Sequence, residues 1–446
     1  MVDALVLLIA ATLAAADTPP RVITLDEAIT RAEVANTSVL SAIERAREVH
    51  AVADGAGRSL LPRVTASSRW SMTDAPALVF MSRLASSSVN AEDFIPSALN
   101  DPSPRAHLTT RVGIEASIDA FGQVGRLRDA ANATAAGTDF DADDLRARLR
   151  YEVTVAWTAA AVAREALDVF NAAVGAAVSR EGEAEARSAE GVMLRSDLLR
   201  MRARRRERDA DRARGLATVA QADARLAELL GASTGERFVA SGLTELLTPP
   251  GVISASSSEA ADDPLVGPAL ARLPSVQAAR RRLEAARLSE AAERRSGLPE
   301  IVAGADLSDD RSAFASGRRS WSVGALARVS LFDPTREPRR AEARARLRTA
   351  QIQLEATERG VRLAIPAARQ QLLASLAAYD AARGGTEDSR EALRVVQERR
   401  NAGLATLTDE LETEATALRA ALLELGTRAD TRVAWEALSR AAGGLQ

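Results

Sequence analysis

Asp409 and Glu412 stand three residues apart in the segment GLATLTDELETE, Gly403 to Glu414. That spacing puts both carboxylates on one face of a helix. A third carboxylate, Asp197, holds the matching place in GVMLRSDLLRMR, which begins at Gly191, 212 residues upstream. In each segment the glycine is followed five residues on by Ser or Thr and six on by Asp: Ser196–Asp197 and Thr408–Asp409. By position alone these are solvated carboxylates at helix starts, where the helix dipole favours negative charge.

Other chemistry is thinly supplied. The chain of 446 residues has no cysteine, no lysine and only two histidines, His50 and His107. Without cysteine there are no disulfides, zinc–thiolate sites, thiol nucleophiles or acylated N-terminal cysteine. Without lysine there is no Walker lysine, Schiff base or kinase lysine. His50 falls in a helical stretch and His107 at a strand start, so neither a Ser-His-Asp set nor a histidine metal cluster is expected. The carboxylates are too many and too evenly spread to single out a glycosidase pair. An enzyme is disfavoured, and no cofactor or metal is expected. The run RMRARRRERDADRAR, Arg200 to Arg214, has the basic density of a nucleic-acid site. Acidic residues interrupt it, no aromatic interleaves it, and the net charge of the chain is −3. It reads as a solvated or salt-bridged helix face, with no nucleic-acid partner.

The elements that carry these residues are duplicated. LLP at Leu60–Pro62 matches GLP at Gly297–Pro299, and Ser38–Val39 matches Ser275–Val276, both at an offset of 237. Phe121 and Phe332 match at 211. The first copy therefore carries about 26 more residues, within Asp74–Ala106, read as an enlarged loop; a repeat of this length means two similar halves.

Residues 1–16 read as a signal peptide: an apolar run, Ala4–Ala15, with an A-x-A pattern at Ala14 and Ala16, although Asp3 stands where a basic residue is usual. The first repeat covers 17–231, a linker 232–272 and the second repeat 273–446. Thr24 and Glu27 form a capping box for a helix that breaks near Asn36 and ends before Pro62. Alternation of period two follows at 63–73 and 107–121, and again at 300–308 and 320–332. Val112, Ile114, Ile118, Val323 and Val329 lie on the apolar faces of these strands. Such two-faced segments suit an outer-membrane strand of roughly 9–11 residues. Trp70, Trp321, Phe121 and Phe332 near the strand ends are either interface-belt aromatics or core residues. A helix of roughly 60 residues, about 90 Å long, runs from Gly125 to Ser188, and a second returns to Leu230. In the second copy a helix covers Pro274–Ser296, another runs to about Arg383 through Pro366, and the last carries the stripe Leu404, Leu407, Leu411, Ala415, Leu418, Leu422 and Leu425, a coiled-coil seam.

Four membrane strands have two open edges, and in hydrocarbon each unpaired backbone group costs several kcal/mol. The chain must therefore oligomerise. Two copies give about eight strands, filled by side chains; three give twelve and leave a lumen. The polar inward faces favour three.

With these residues in view, the chain resembles the TolC-like outer-membrane efflux family. The resembling parts are TLDEAITRAEVAN, the LLP and GLP junctions, SLFDPTREPRRAEA and the two glycine-led helix starts. The resemblance implies a membrane β-barrel plus an all-α tunnel: a homotrimer with four strands per chain, a twelve-stranded barrel in outer-membrane lipid continuous with a twelve-helix periplasmic α-barrel. Such ducts are not enzymes. They serve tripartite efflux or type I secretion systems, docking on a periplasmic adaptor and an inner-membrane transporter, and the pump chooses the cargo. The resemblance places Asp409, Glu412 and Asp197 at the periplasmic aperture and Gly191 and Gly403 at the tips that meet the adaptor. Three copies of these carboxylates around an axis would favour cations. A basic latch residue of the family matches Ala405, so that latch is expected to be absent or built differently. The competing reading is a periplasmic or cytosolic coiled-coil scaffold with ordinary hairpins.

Overall fold

The computed structural model describes residues 21–233, 236–241, 263–312 and 317–444. The leader, 1–16, lies outside them, as does 242–262 of the linker.

The order of elements is β1 (Arg21–Ile23), α1 (Leu25–Ala35), α2 (Thr37–Arg58), β2 (Arg63–Thr73), α3 (Pro76–Ala85), a 3-10 turn (Ala91–Phe94), α4 (Pro96–Asn100), β3 (Arg105–Ile118), α5 (Gln123–Ala189), α6 (Arg195–Leu229), β4 (Phe238–Ala240), α7 (Val266–Arg272), α8 (Pro274–Glu293), β5 (Glu300–Ser312), β6 (Arg318–Arg328), α9 (Arg336–Asn401) and α10 (Leu407–Ala442). They form two compact units. One holds residues up to 46, 138–279 and from 353; the other holds 47–137 and 280–352.

The first unit is helical. Its chain starts at the expected capping box: Thr24 N–H donates to Glu27 Oε2 at 3.1 Å and Glu27 N–H to Thr24 Oγ1 at 3.3 Å. Asn36 separates α1 from α2, and its side-chain amide donates to the Leu229 carbonyl at 3.1 Å. Gly231, at φ +61°, ends the turn after α6; a Cβ there would lie 2.7 Å from the Ala35 carbonyl oxygen, so only glycine fits. β1 and β4 pair in parallel beside this turn. Trp157 is buried against them and donates from Nε1 to the Ile23 carbonyl at 3.1 Å.

Two apolar cores result, and the duplication is legible in their members. Ala32 and Val39 lie in one, Ala269 and Val276 in the other, at the offset of 237. Ala161 pairs likewise with Leu372, and Leu226 with Leu438, at 211 and 212. All eight are buried.

Three expectations about helices are corrected. α9 is one helix of 66 residues through Pro366 to Asn401, not a helix ending near Arg383. Gly384–Gly385 costs about 1 kcal/mol per glycine against alanine, too little to break a helix supported on both sides; next to it buried Thr386 donates to the Ala382 carbonyl at 3.0 Å and to Ala420 of α10 at 3.1 Å. α5 likewise continues through Gly182 to 67 residues. In α10 the most buried positions are Glu410, Ala417, Thr431, Ala434, Leu438 and Ala442. The leucine stripe is mostly half-buried, and Leu404 precedes the helix and is exposed.

The second unit is built on a four-stranded antiparallel sheet in the order β2-β3-β5-β6. Strand bounds shift slightly: β3 and β5 extend to Arg105 and Ser312, while β6 stops at Arg328. Arg328 pairs with Glu300, and Pro299 before it has no N–H to continue the ladder. Val329 therefore falls one residue beyond the strand, a correction to its placement. At the other junction Asp119 turns the chain into α5, accepting from the backbone N–H groups of Val124 at 3.2 Å and Gly125 at 2.7 Å.

Asp74–Ala106 is not a plain loop but folds as α3, the 3-10 turn and α4. Pro76 and Pro96 each stand at a helix start, where the missing N–H is harmless. Phe80 and Phe94 meet edge to face with ring centres 5.7 Å apart. Arg83 and buried Asp93 form an ion pair. Among the described residues no helix is long and apolar enough to cross a membrane.

Candidate functional site

In the helical unit the candidate residues cluster at the two hairpin ends. Gly191 has φ +75° and Gly403 φ +76°, a backbone region that an L side chain enters only at a cost. The hydrogen bonds are the same at both. Gly191 N–H donates to the Ser188 carbonyl and Val192 N–H to Arg187; Gly403 N–H donates to Arg400 and Leu404 N–H to Arg399. Each pair is the helix-terminating turn in which a left-handed glycine satisfies free carbonyls. Val192, Leu194 and Leu404 stand on these turns, each at least 70% exposed.

The helix starts then diverge. Thr406 caps α10: its N–H donates to Asp409 Oδ2 at 2.9 Å, and Asp409 N–H donates to Thr406 Oγ1 at 3.2 Å. The hydroxyl and backbone N–H of Thr406, with Arg399 nearby, hold the Asp409 carboxyl below the usual aspartate range. In the first copy Leu194 takes the cap position with no side-chain bond. Asp197 instead meets Arg200 at 3.4 Å, one turn on in its own helix. Glu412 is exposed, and its carboxylate has no hydrogen bond or ion pair among the described residues. Each of the three is thus held, or left free, within its own helix.

What joins the hairpins is a pair of carboxylates that sequence reasoning passed over. Glu410 is 5% exposed. It pairs with Arg400 of α9, and Arg180 of α5 stands 3.6 Å away. Arg180 also binds Glu414, and Arg204 of α6 donates to the Leu411 carbonyl at 3.0 Å. Four helices are pinned together here. Glu410 precedes buried Ala417 by seven residues, a heptad step that was the one available signal. The arginine run lies along the same helices: Arg202 binds Glu185 at 2.7 Å, Arg205 binds Glu181 at 3.3 Å, and Arg208 binds Asp211 at 3.1 Å.

In the sheet unit the register sorts the strands into two faces. Val64, Ile114, Ala305 and Val323 stand side by side, as do Ala66, Val112, Leu307 and Trp321. Ile118 continues this face beside Ile301 and Ala327. The opposite face carries rows such as Thr65, Gly113, Asp306 and Ser322, with Arg111 3.2 Å from Asp306. Every residue of β6 is exposed, and all but Thr73 of β2. Val112, Ile114, Ile118 and Val323 are all exposed, and so is Val329 beyond the strand. Trp70, Trp321, Phe121 and Phe332 are exposed too, so none is a core residue of the single chain. Both sheet edges, β2 and β6, are unpaired among the described residues. Among those residues no three His, Cys, Asp or Glu side chains group as metal ligands.

Residues 265–444 match the model of the family described as outer membrane efflux protein. The fold is similar to a membrane protein from Pseudomonas aeruginosa, at 20% identity, 94% of this chain and 93% of the other, TM-score 0.78. It is similar to the outer membrane protein VceC from Vibrio cholerae, at 18% identity, 94% and 96% coverage, TM-score 0.76. It is also similar to the MtrE outer membrane channel of Neisseria gonorrhoeae, at 19% identity, 94% and 89% coverage, TM-score 0.74. No curated protein is similar enough to match the chain.

Proposed function

We propose that the chain, whose residues 265–444 match the model of the outer membrane efflux protein family, is the outer-membrane exit duct of an efflux or secretion system. The observation that carries this reading is the sheet: one face apolar and bare, the other polar, both edges open. In water such a surface invites aggregation. In a membrane it is usable only if the edges close on neighbouring copies.

Closure sets the assembly. Three copies of four strands make a twelve-stranded barrel with the apolar face to lipid and Arg111, Asp306 and their neighbours lining water. The exposed tryptophans and phenylalanines near the two ends of the strands then serve as interface belts. The long helices of three copies form the periplasmic tunnel. The family is one of channels, not enzymes, and the chain passes its cargo without chemistry.

The hairpin ends are the inner terminus of the duct in this reading. The exposed apolar turns at Gly191 and Gly403 suit docking of a periplasmic adaptor, which links the duct to an inner-membrane transporter. Of the three aperture candidates, Glu412 is the carboxylate left free to face passing ions; Asp409 contributes charge while serving as a cap, and Asp197 is partly neutralised by Arg200. The test is expression of the full chain followed by membrane fractionation. Recovery in the outer membrane supports the duct; recovery as a soluble protein needing no detergent supports the scaffold instead.

A further inference from the structure

The first repeat's insertion does not hang free of the sheet. α3 rests on β5, and the burial along β5 says on which side. Ser308 is 8% exposed while its neighbour Leu307, pointing to the other face, is 51% exposed. The anchors agree. Arg105 Nη2 donates to Ser88 Oγ at 2.6 Å, and Arg318 Nη1 donates to Ser87 Oγ at 3.1 Å. Arg105 and Arg318 both occupy the register positions of the polar face, in line with Arg111 and Asp306.

We propose that the insertion Pro76–Asn100 stands inside the outer mouth of the duct as a constriction, with Leu78 and Met81 as the surface that passing cargo meets. The inference rests on the duct reading: if the apolar face meets lipid, whatever covers the polar face stands in the lumen. A helix with its side chains is about 10 Å across, so each copy narrows the passage from the wall by that amount. The insertion is a folded object and not a slack loop, because its own Val79 is buried and its Asp93 is buried against Arg83. Leu78 and Met81 are three apart on one helix face and each is 60% exposed. An unbranched methionine beside a leucine makes an adaptable apolar contact, suited to partly apolar solutes. In the second copy only five residues, 313–317, join β5 to β6, too few for such an insertion.

The absence of cysteine gives a clean background for the test. Full-length Met81→Cys and Val323→Cys are reconstituted in planar bilayers and treated with a charged methanethiosulfonate, with labelling verified by protein mass. The constriction predicts a stepwise loss of single-channel conductance for Met81→Cys and none for Val323→Cys. Replacement of residues 76–100 by a short Gly/Ser turn should raise conductance. Channels whose conductance ignores both the label at position 81 and the replacement would overturn the constriction and leave the duct standing. Failure of the wild-type chain to form channels would overturn the duct, and the constriction with it.

Discussion

Arg400 reaches forward over the Gly403 turn to Glu410, ten residues on, and the carboxylate it meets is 5% exposed. A charge so placed needs its partners, because removing one side of a buried pair leaves the other uncompensated. Glu410→Ala strands Arg400, while Arg180 keeps Glu414. The expected loss is about 3 kcal/mol, read as a lower thermal midpoint. Glu412→Ala, on the exposed side of the same turn, should stay within about 0.5 kcal/mol. Equal effects of the two would refute the assignment of Glu410 as the pin.

Asp409 links the start of α10 to pH. Its carboxyl is held below the usual aspartate range in the folded chain, so the folded state prefers it ionised. The sign follows: the contribution is complete above the ordinary aspartate value of about 3.9 and disappears as pH falls through the lowered folded-state value. Hydrogen exchange, corrected for intrinsic rate, should show steady protection at Asp409 N–H between pH 7 and pH 5 and faster opening only in stronger acid. Asp409→Ala should open the same turn at neutral pH. The first-copy start, with Leu194 at the cap, should not respond to acid in this way.

The two faces of the sheet should differ in their tolerance of charge. Arginine on the lipid side of a membrane strand costs about 2–4 kcal/mol near the bilayer centre. Ile114→Arg or Val323→Arg should therefore deplete the outer-membrane fraction, whereas Thr65→Arg, on the polar face, should not. Normal assembly of all three would favour the scaffold.

Glu412→Ala should weaken cation preference in planar-bilayer recordings, and the double variant with Asp409→Ala should weaken it further. The order matters, because Glu412 is unpaired among the described residues while Asp409 is engaged by Thr406. Unchanged selectivity in the double variant would remove these carboxylates from the aperture.

Several expectations that rested on local pattern matched the structure. The box at Thr24 and Glu27, the break at Asn36 and the period-two strands are set by neighbours along the chain. The repeat was readable because Ala32 and Ala269, or Val39 and Val276, face equivalent cores. Distance in sequence, and in one stretch composition, hid the rest. Glu410 looked like one more solvated carboxylate because Arg180 lies 230 residues away. Gly384–Gly385 looked like a helix end because the support from Ala420 of α10 is tertiary. The Asp74–Ala106 stretch looked slack because its proline, asparagine and serine content masked the helical spacing of α3.

In the proposed duct, four strands per chain reach closure only with those of two further copies. Native mass spectrometry of the protein extracted from outer membranes in mild detergent counts the copies. Three chains of 47.1 kDa, less any leader removed on export, are expected. A single chain, stable and monodisperse without detergent, would rule the trimeric barrel out.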